Sequence, residues 1–250
     1  RALVQNIASC DEVWVVSRGA GENLRSLGYE GDYIVMENGV DVPRGRVSDE
    51  AIAAATGRYD LPQNVPVFLF VGRLMWYKGI RIILDALKTL REKNVDFRMV
   101  FVGEGADGAE IRSYAEERKL SDRCFFTGAI SDREIIRAWY GRSDLFLFPS
   151  TFDTNGLVVR EAAASGTATV MIRNSCASEG VGDGRNGFCI EENAAAMAAK
   201  LEELCRAPEV MQVVGENAQR ELYVSWETAV QRAMARYEVC LLYTSPSPRD

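Results

Sequence analysis

The stretch FPSTFDTNGLVVREAAASG, residues 148–166, places Asp153 and Glu161 on either side of an Asn-Gly pair where an apolar strand gives way to a helix. A helix beginning at Asn155 or Gly156 leaves the amides of Gly156, Leu157 and Val158 without intrahelical acceptors, and its positive end suits an anion. The two carboxylates cannot play the same part there. Asp153 precedes the helix end and Glu161 lies more than one turn inside it, so one can address hydroxyls beyond a phosphate group and the other can accept hydrogen bonds from a ribose. Taken singly, each also reads as an ordinary charge, one placed before a helix and the other on its surface.

A second loop, GRLMWYKG, brings Arg73 and Lys78 between Gly72 and Gly79, just ahead of another helix. An arginine fork and a lysine point charge beside free amides suit a diphosphate. The segment VGEGADG matches G-x-G-x-x-G through Gly103, Gly105 and Gly108, the pattern that follows the first strand of dinucleotide-binding units. That pattern also needs a carboxylate about 20 residues on, at the end of the following strand, and CFFTG ends instead in Thr127 and Gly128. A nicotinamide-dependent oxidoreductase therefore stands as the alternative with one of its parts missing. The loop FTGAIS offers mainly backbone around Gly128, Ala129 and Ile130 for reading a planar base edge.

The chain has 250 residues, 47% of them hydrophobic, with a net charge of -7 and no histidine. The lack of histidine removes the usual neutral-pH proton carrier and the Ser-His and Cys-His nucleophile pairs. The acidic balance argues against nucleic acid as a partner. The six cysteines are scattered with no C-x-x-C pair, which fits reduced thiols in a cytoplasmic setting better than zinc ligands or a disulfide frame. No apolar run approaches the roughly 20 residues of a membrane span.

The elements that must position these loops follow a regular pattern. The runs VPVFLFVG, FRMVFVG, CFFTG, DLFLFPS and TATVMI alternate with amphipathic segments such as IRIILDALKTLREKN and SDREIIRAWYGRS. Near-continuous apolar strands alternating with helices predict an α/β fold built on a doubly wound parallel sheet. Ser131 with Glu134 predicts a capping box at one helix start. Residues 1–41 read as the last helix, strand, helix and strand of an upstream domain, with Ser17 capping the second helix and Gly28 stopping it. Residues 42–64 read as a linker carrying one short helix in DEAIAAATG, residues 65–224 as the sheet domain, and residues 225–239 as a helix returning across the boundary. Residues 240–250, CLLYTSPSPRD, abandon the helical pattern and resemble a translated sequencing adapter, a non-native tail.

The order of these features resembles the retaining nucleotide-sugar glycosyltransferases of GT-B fold, family 4. The marks are SRGAGENLRSLG and VMENGVD before the linker, then FVGRLMWYKGI, RMVFVGEG, CFFTG and LFLFPSTFDTNGLVVREAAASG, a span from residue 11 to about 239. The resemblance implies transfer of a sugar from a nucleoside diphosphate donor to a glycan, lipid or small-molecule acceptor, with the donor held by the C-terminal of two Rossmann-like domains. By position it makes Arg73 and Lys78 the diphosphate clamp, Glu161 the ribose ligand and Asp153 the carboxylate beside the donor sugar. Gly72, Gly103, Gly105, Gly128, Ile130, Asn155, Gly156, Leu157 and Val158 would line the donor. The family's E-x7-E pattern has aspartate at its first position here, shortening that reach by one methylene. No metal and no cofactor beyond the donor is implied. The acceptor domain, with its glycine-rich loop and histidine, would lie largely upstream of Arg1, so the chain alone is expected to bind donor and hardly to catalyse. Peripheral membrane contact would come through that upstream part. A nucleotide-sugar-binding module without turnover is a further alternative.

Overall fold

The computed structural model describes residues 2–244. The chain divides into two compact units, one formed by the residues up to Asp41 together with those from Val224 onward, the other by Val42–Tyr223. The smaller unit begins with α1 (Ala2–Ala8), β1 (Trp14–Val15), α2 (Arg18–Ser26) and β2 (Ile34–Val35). The two short strands pair in parallel, Trp14 opposite Ile34. Ser17 caps α2 by accepting from the Ala20 amide at 3.0 Å.

The larger unit runs α3 (Asp49–Thr56), β3 (Val67–Val71), a 3-10 turn at Trp76–Lys78, α4 (Ile80–Glu92), β4 (Arg98–Val102), α5 (Gly108–Glu117), β5 (Cys124–Gly128) and α6 (Arg133–Arg142). It continues with β6 (Leu145–Phe148), α7 (Leu157–Ala164), β7 (Ala168–Ile172), a 3-10 turn at Cys176–Ser178, β8 (Phe188–Ile190), α8 (Ala194–Arg206) and α9 (Pro208–Glu221). From Trp226 the chain enters α10 (Trp226–Thr244), which belongs to the smaller unit. There Arg232 pairs with Glu37 at 3.2 Å and the Trp14 and Tyr237 rings meet edge to face at 5.2 Å.

The six strands of the larger unit lie in the order β5-β4-β3-β6-β7-β8, every neighbour parallel. Alternate residues of each strand feed two separate cores, as a sheet covered on both faces requires. Phe68, Phe70, Met99, Phe101, Leu145 and Leu147 face the core completed by α4, α5, α8 and α9. Val67, Leu69, Val100, Phe146 and Phe148 face the core completed by α6 and α7. Each such fully buried side chain contributes about 1.5–3 kcal/mol relative to exposure. Helix α4 shows how sequence meets this demand: Ile80, Ile83, Leu84, Leu87 and Leu90 recur at helical spacing and all are buried.

The order carries the functional consequence. Counted from the centre outward it is the doubly wound arrangement in which the chain winds first to one side of β3 and then, from β6, to the other. The loops leaving β3 and β6 diverge, and a crevice opens between them at the carboxyl ends of the strands.

Four features differ from the sequence reading. Strand β8 lies in GFCI, a run too short to show a period, and forms because Val170, Met171 and Ile172 pair with Phe188, Cys189 and Ile190. Helix α6 is capped by Asp132, whose carboxylate accepts from the Glu134 and Ile135 amides, rather than by a Ser131–Glu134 box. Residues 42–64 are docked on the larger unit: the Gly45 amide donates to the Ala164 carbonyl at 2.9 Å, Arg46 to the Gly141 carbonyl at 3.0 Å, and Arg142 to the Leu61 carbonyl at 2.8 Å. Helix α10 runs on to Thr244, beyond the end expected at 239, and the rest of the suspected tail, residues 245–250, lies outside the described residues.

Candidate functional site

Strands β3 and β6 are neighbours, so the loops that leave them stand side by side. Lys78 closes the 3-10 turn after β3, and its Nζ lies 3.3 Å from Asp153 Oδ2 and 3.5 Å from the Phe152 carbonyl in the loop after β6. The side chains of Lys78 and Asp153 are only 15% and 22% exposed, so water screens this pair less than a surface ion pair. The other oxygen, Asp153 Oδ1, accepts from the Gly156 amide at 2.6 Å and the Asn155 amide at 3.1 Å. One carboxylate thus joins the lysine of the first loop to the start of α7.

This arrangement corrects the expectation of three open amides. The Gly156 amide is held by Asp153, whereas those of Leu157 and Val158, the first two residues of α7, carry no partner among the described residues. The physical reason is that an aspartate just ahead of a helix can accept from the amides two and three residues on and so close an Asx turn. Asn155 is 7% exposed, and its side-chain nitrogen Nδ2 finds no acceptor among the described residues.

The lysine loop is held from behind. The Trp76 amide donates to Asp107 at 2.8 Å, and the Arg81 guanidinium lies 4.3 Å from the Trp76 ring and 4.4 Å from the Tyr114 ring. Arg73, on the same loop, is exposed and makes no side-chain hydrogen bond or ion pair among the described residues. The structure brings Lys78, Asp153 and Gly156 together and leaves Arg73 projecting.

The remaining loop residues stitch the strand ends to one another. The Gly72 amide donates to the Val102 carbonyl at 3.0 Å, and the Gly103 amide to the Gly128 carbonyl at 2.9 Å. Gly105 lies against the Leu74 carbonyl, which a methyl group would approach to 2.3 Å. The side chain of Ile130 packs on the core beneath α6 and α7. The G-x-G-x-x-G pattern therefore serves close approach between loops. It also follows β4, whereas a dinucleotide fingerprint follows the strand at the switch point, here β3.

Glu161 lies on the wall of a cavity of about 270 Å³ with Val42, Ser131, Arg133, Ile136, Arg137 and Tyr140, a lining that includes neither Lys78 nor Asp153. Sequence reading overlooked this lining, although Arg133, Arg137 and Tyr140 at helical spacing in SDREIIRAWYGRS put three polar side chains on one face of α6. The Tyr140 hydroxyl donates to the Val158 carbonyl at 3.3 Å and also faces the Glu161 carboxylate. A larger groove of about 430 Å³, lined by Asp85, Lys88 and Ala195 among others, shares no residue with the four loops.

Against this geometry, residues 54–221 match the family model described as Glycosyl transferases group 1. The chain belongs to that family. It is 28% identical over 250 residues to the D-inositol 3-phosphate glycosyltransferase of Streptomyces avermitilis, an alignment covering 95% of this chain and 54% of the relative. The chain spans about half the length of the curated relatives it matches. Among solved structures, a glycosyltransferase from Rickettsia africae superposes with a TM-score of 0.82 at 22% identity, covering 99% of this chain and 68% of that one. Anabaena HepE in complex with UDP-glucose superposes with a TM-score of 0.80 at 21% identity, covering 92% and 64%. At such identities these neighbours establish the fold of this group 1 chain, a Rossmann-like α/β sheet.

Burial of Glu161 raises its pKa above the ordinary glutamate value, with Arg133 and the Tyr140 hydroxyl acting in the opposite sense. A carboxyl whose folded pKa exceeds its unfolded one weakens the fold as pH rises through the interval between them. Glu161→Gln is therefore expected to raise the melting temperature at pH 7. The gain should shrink to nothing below about pH 4, where both states carry a protonated glutamate. Thermal unfolding of the two proteins across pH 3.5 to 8 checks the sign.

Proposed function

We propose that this chain carries the donor site of a retaining glycosyltransferase of family 4, which takes a nucleoside diphosphate sugar and passes the sugar to a glycan, lipid or small-molecule acceptor. The observation that supports the reading most is the junction of Lys78, Asp153 and the start of α7 at the sheet's switch point, with the Leu157 and Val158 amides open beside it. An ammonium and two amides at a helix start complement a diphosphate. In this reading Lys78 is shared between Asp153 and the phosphates, Arg73 closes over them from its exposed position, and Glu161 accepts the ribose hydroxyls. Asp153, already fixed by two amides, presents its remaining lone pairs to the donor sugar.

Transfer then breaks the bond between the sugar's anomeric carbon and the phosphate oxygen while the acceptor oxygen bonds to that carbon on the same face. The acceptor's proton passes to the departing phosphate oxygen. Lys78 and the α7 amides stabilise the charge that develops there, which is where preorganised donors lower a barrier most. No cofactor beyond the donor is required by this scheme. The curated relatives this chain matches are about twice its length, and in this reading the acceptor domain, any membrane contact and turnover itself belong to a longer protein.

A thermal-shift screen tests the donor site on the chain as it is. UDP, GDP or ADP at about a hundredfold its dissociation constant should add about 2.7 kcal/mol. For a chain of this size that corresponds to a rise of about 5–10 °C. A rise with NADH and with none of the nucleoside diphosphates would replace this reading with the oxidoreductase one. In described residues no helix is long and apolar enough to cross a membrane.

A further inference from the structure

The two loops that carry Lys78 and Asp153 also carry two outward aromatic rings. Tyr77 is 40% exposed and Phe152 is 76% exposed, yet their rings meet edge to face at 5.5 Å with an interplanar angle of 74°. Each immediately precedes one member of the ion pair, and Lys78 Nζ lies 5.6 Å from the Tyr77 ring. The neighbouring aromatics behave differently: Phe148 is buried in the core, and Trp76, one residue before Tyr77, packs inward against Tyr114. The 3-10 turn therefore spends one aromatic on support and holds the next one out, against a partner from another loop. Side chains left 40% and 76% exposed gain the fold less than full burial, which would contribute about 1.5–3 kcal/mol for each.

Resting on the donor-site reading above, we infer that Tyr77 and Phe152 form a stacking platform for one ring of the acceptor, a pyranose or cyclitol. Such a ring has an apolar face of C–H bonds and a rim of hydroxyls. The platform matches both parts, with two aromatic surfaces bordered by the Tyr77 hydroxyl, the Lys78 ammonium and the Asp153 carboxylate. Apolar walls with a few convergent polar groups are the usual composition of a small-molecule subsite. The Lys78 and Asp153 side chains are far less exposed than Tyr77 and Phe152, so in the donor-site reading the donor lies inward of these rings. What lies over the rings reaches the donor from the solvent side, the direction from which an acceptor must come. An acyl tail would find only two rings to cover it.

Saturation-transfer NMR on the full chain with UDP-glucose, irradiating aromatic protons, tests this with methyl α-D-glucopyranoside and myo-inositol as probes. Saturation should reach the ring C–H protons of at least one probe. Phe152→Ala and Tyr77→Ala should each weaken that probe about threefold to tenfold. Melting temperature and UDP-glucose affinity should stay unchanged in Phe152→Ala, because that side chain lies largely in solvent. Probe binding that survives both substitutions overturns the platform, and saturation that lands on the glucose of UDP-glucose in place of the probes overturns the acceptor assignment. A chain that binds UDP-glucose without a probe signal overturns the platform alone, and a chain that binds neither overturns the donor-site reading with it.

Discussion

Lys78→Ala is expected to weaken nucleoside diphosphate binding by about tenfold to a hundredfold, the loss that follows from removing one charge-assisted hydrogen bond of about 1.5–3 kcal/mol. The lysine is three-quarters or more buried and held over the loop after β6, so its ammonium is already oriented before any ligand arrives. The same substitution leaves Asp153 without its cation, and a second variant separates the two effects. Asp153→Asn keeps an Oδ1 that can accept from the Gly156 and Asn155 amides while removing the negative charge that competes for Lys78. Diphosphate affinity should hold or rise in Asp153→Asn and fall in Lys78→Ala, by calorimetric titration at low salt, with the difference shrinking as ionic strength rises. Equal losses in both would mean that Lys78 acts by bracing the loop, and the clamp assignment would fail.

A large stability effect is expected at Gly79. This residue follows Lys78, has φ of 77°, and starts α4. A methyl group there would sit 2.2 Å from the Pro149 carbonyl oxygen at the beginning of the loop after β6. The left-handed conformation alone costs a non-glycine residue about 1–2 kcal/mol. The collision is with backbone, which cannot rotate away, so one loop must leave the other. Gly79→Ala should lower stability by roughly 3 kcal/mol or more. That corresponds to a fall of about 6–12 °C in melting temperature. Because the displaced loops are those of Lys78 and Asp153, nucleoside diphosphate binding should weaken even at temperatures where the variant remains folded. Gly45→Ala supplies the control: Gly45 also has positive φ, at 122°, but nothing lies within 4 Å of the added methyl, so its variant should lose stability through conformation alone and retain binding.

Both predictions rest on a site whose parts were unequally visible in the sequence. The lysine loop and the Asp153–Glu161 spacing were legible because residue type and helix start are local properties. The meeting of Lys78 with Asp153 was not, since the two lie 75 positions apart and come together only because β3 and β6 are neighbours. The capture of the Gly156 amide by Asp153 was local and still overlooked: an aspartate before a helix can face outward or close a turn, and the surrounding packing decides which. The Glu161 cavity had a helical signal in Arg133, Arg137 and Tyr140, but that signal gains meaning only when α6 lies beside α7 and Val42 closes the cavity.

The amino-acid sequence alone determined that strands and helices alternate, that the strands are apolar on both faces and that glycine-marked turns end them, because periodicity and turn chemistry act within a few residues. Tertiary structure decided which strand ends adjoin, which carboxylate holds which amide, and that two aromatic residues stand in solvent together. Those outcomes depend on contacts between segments far apart in the chain, where sheet pairing and steric fit select one partner among several that local chemistry would accept.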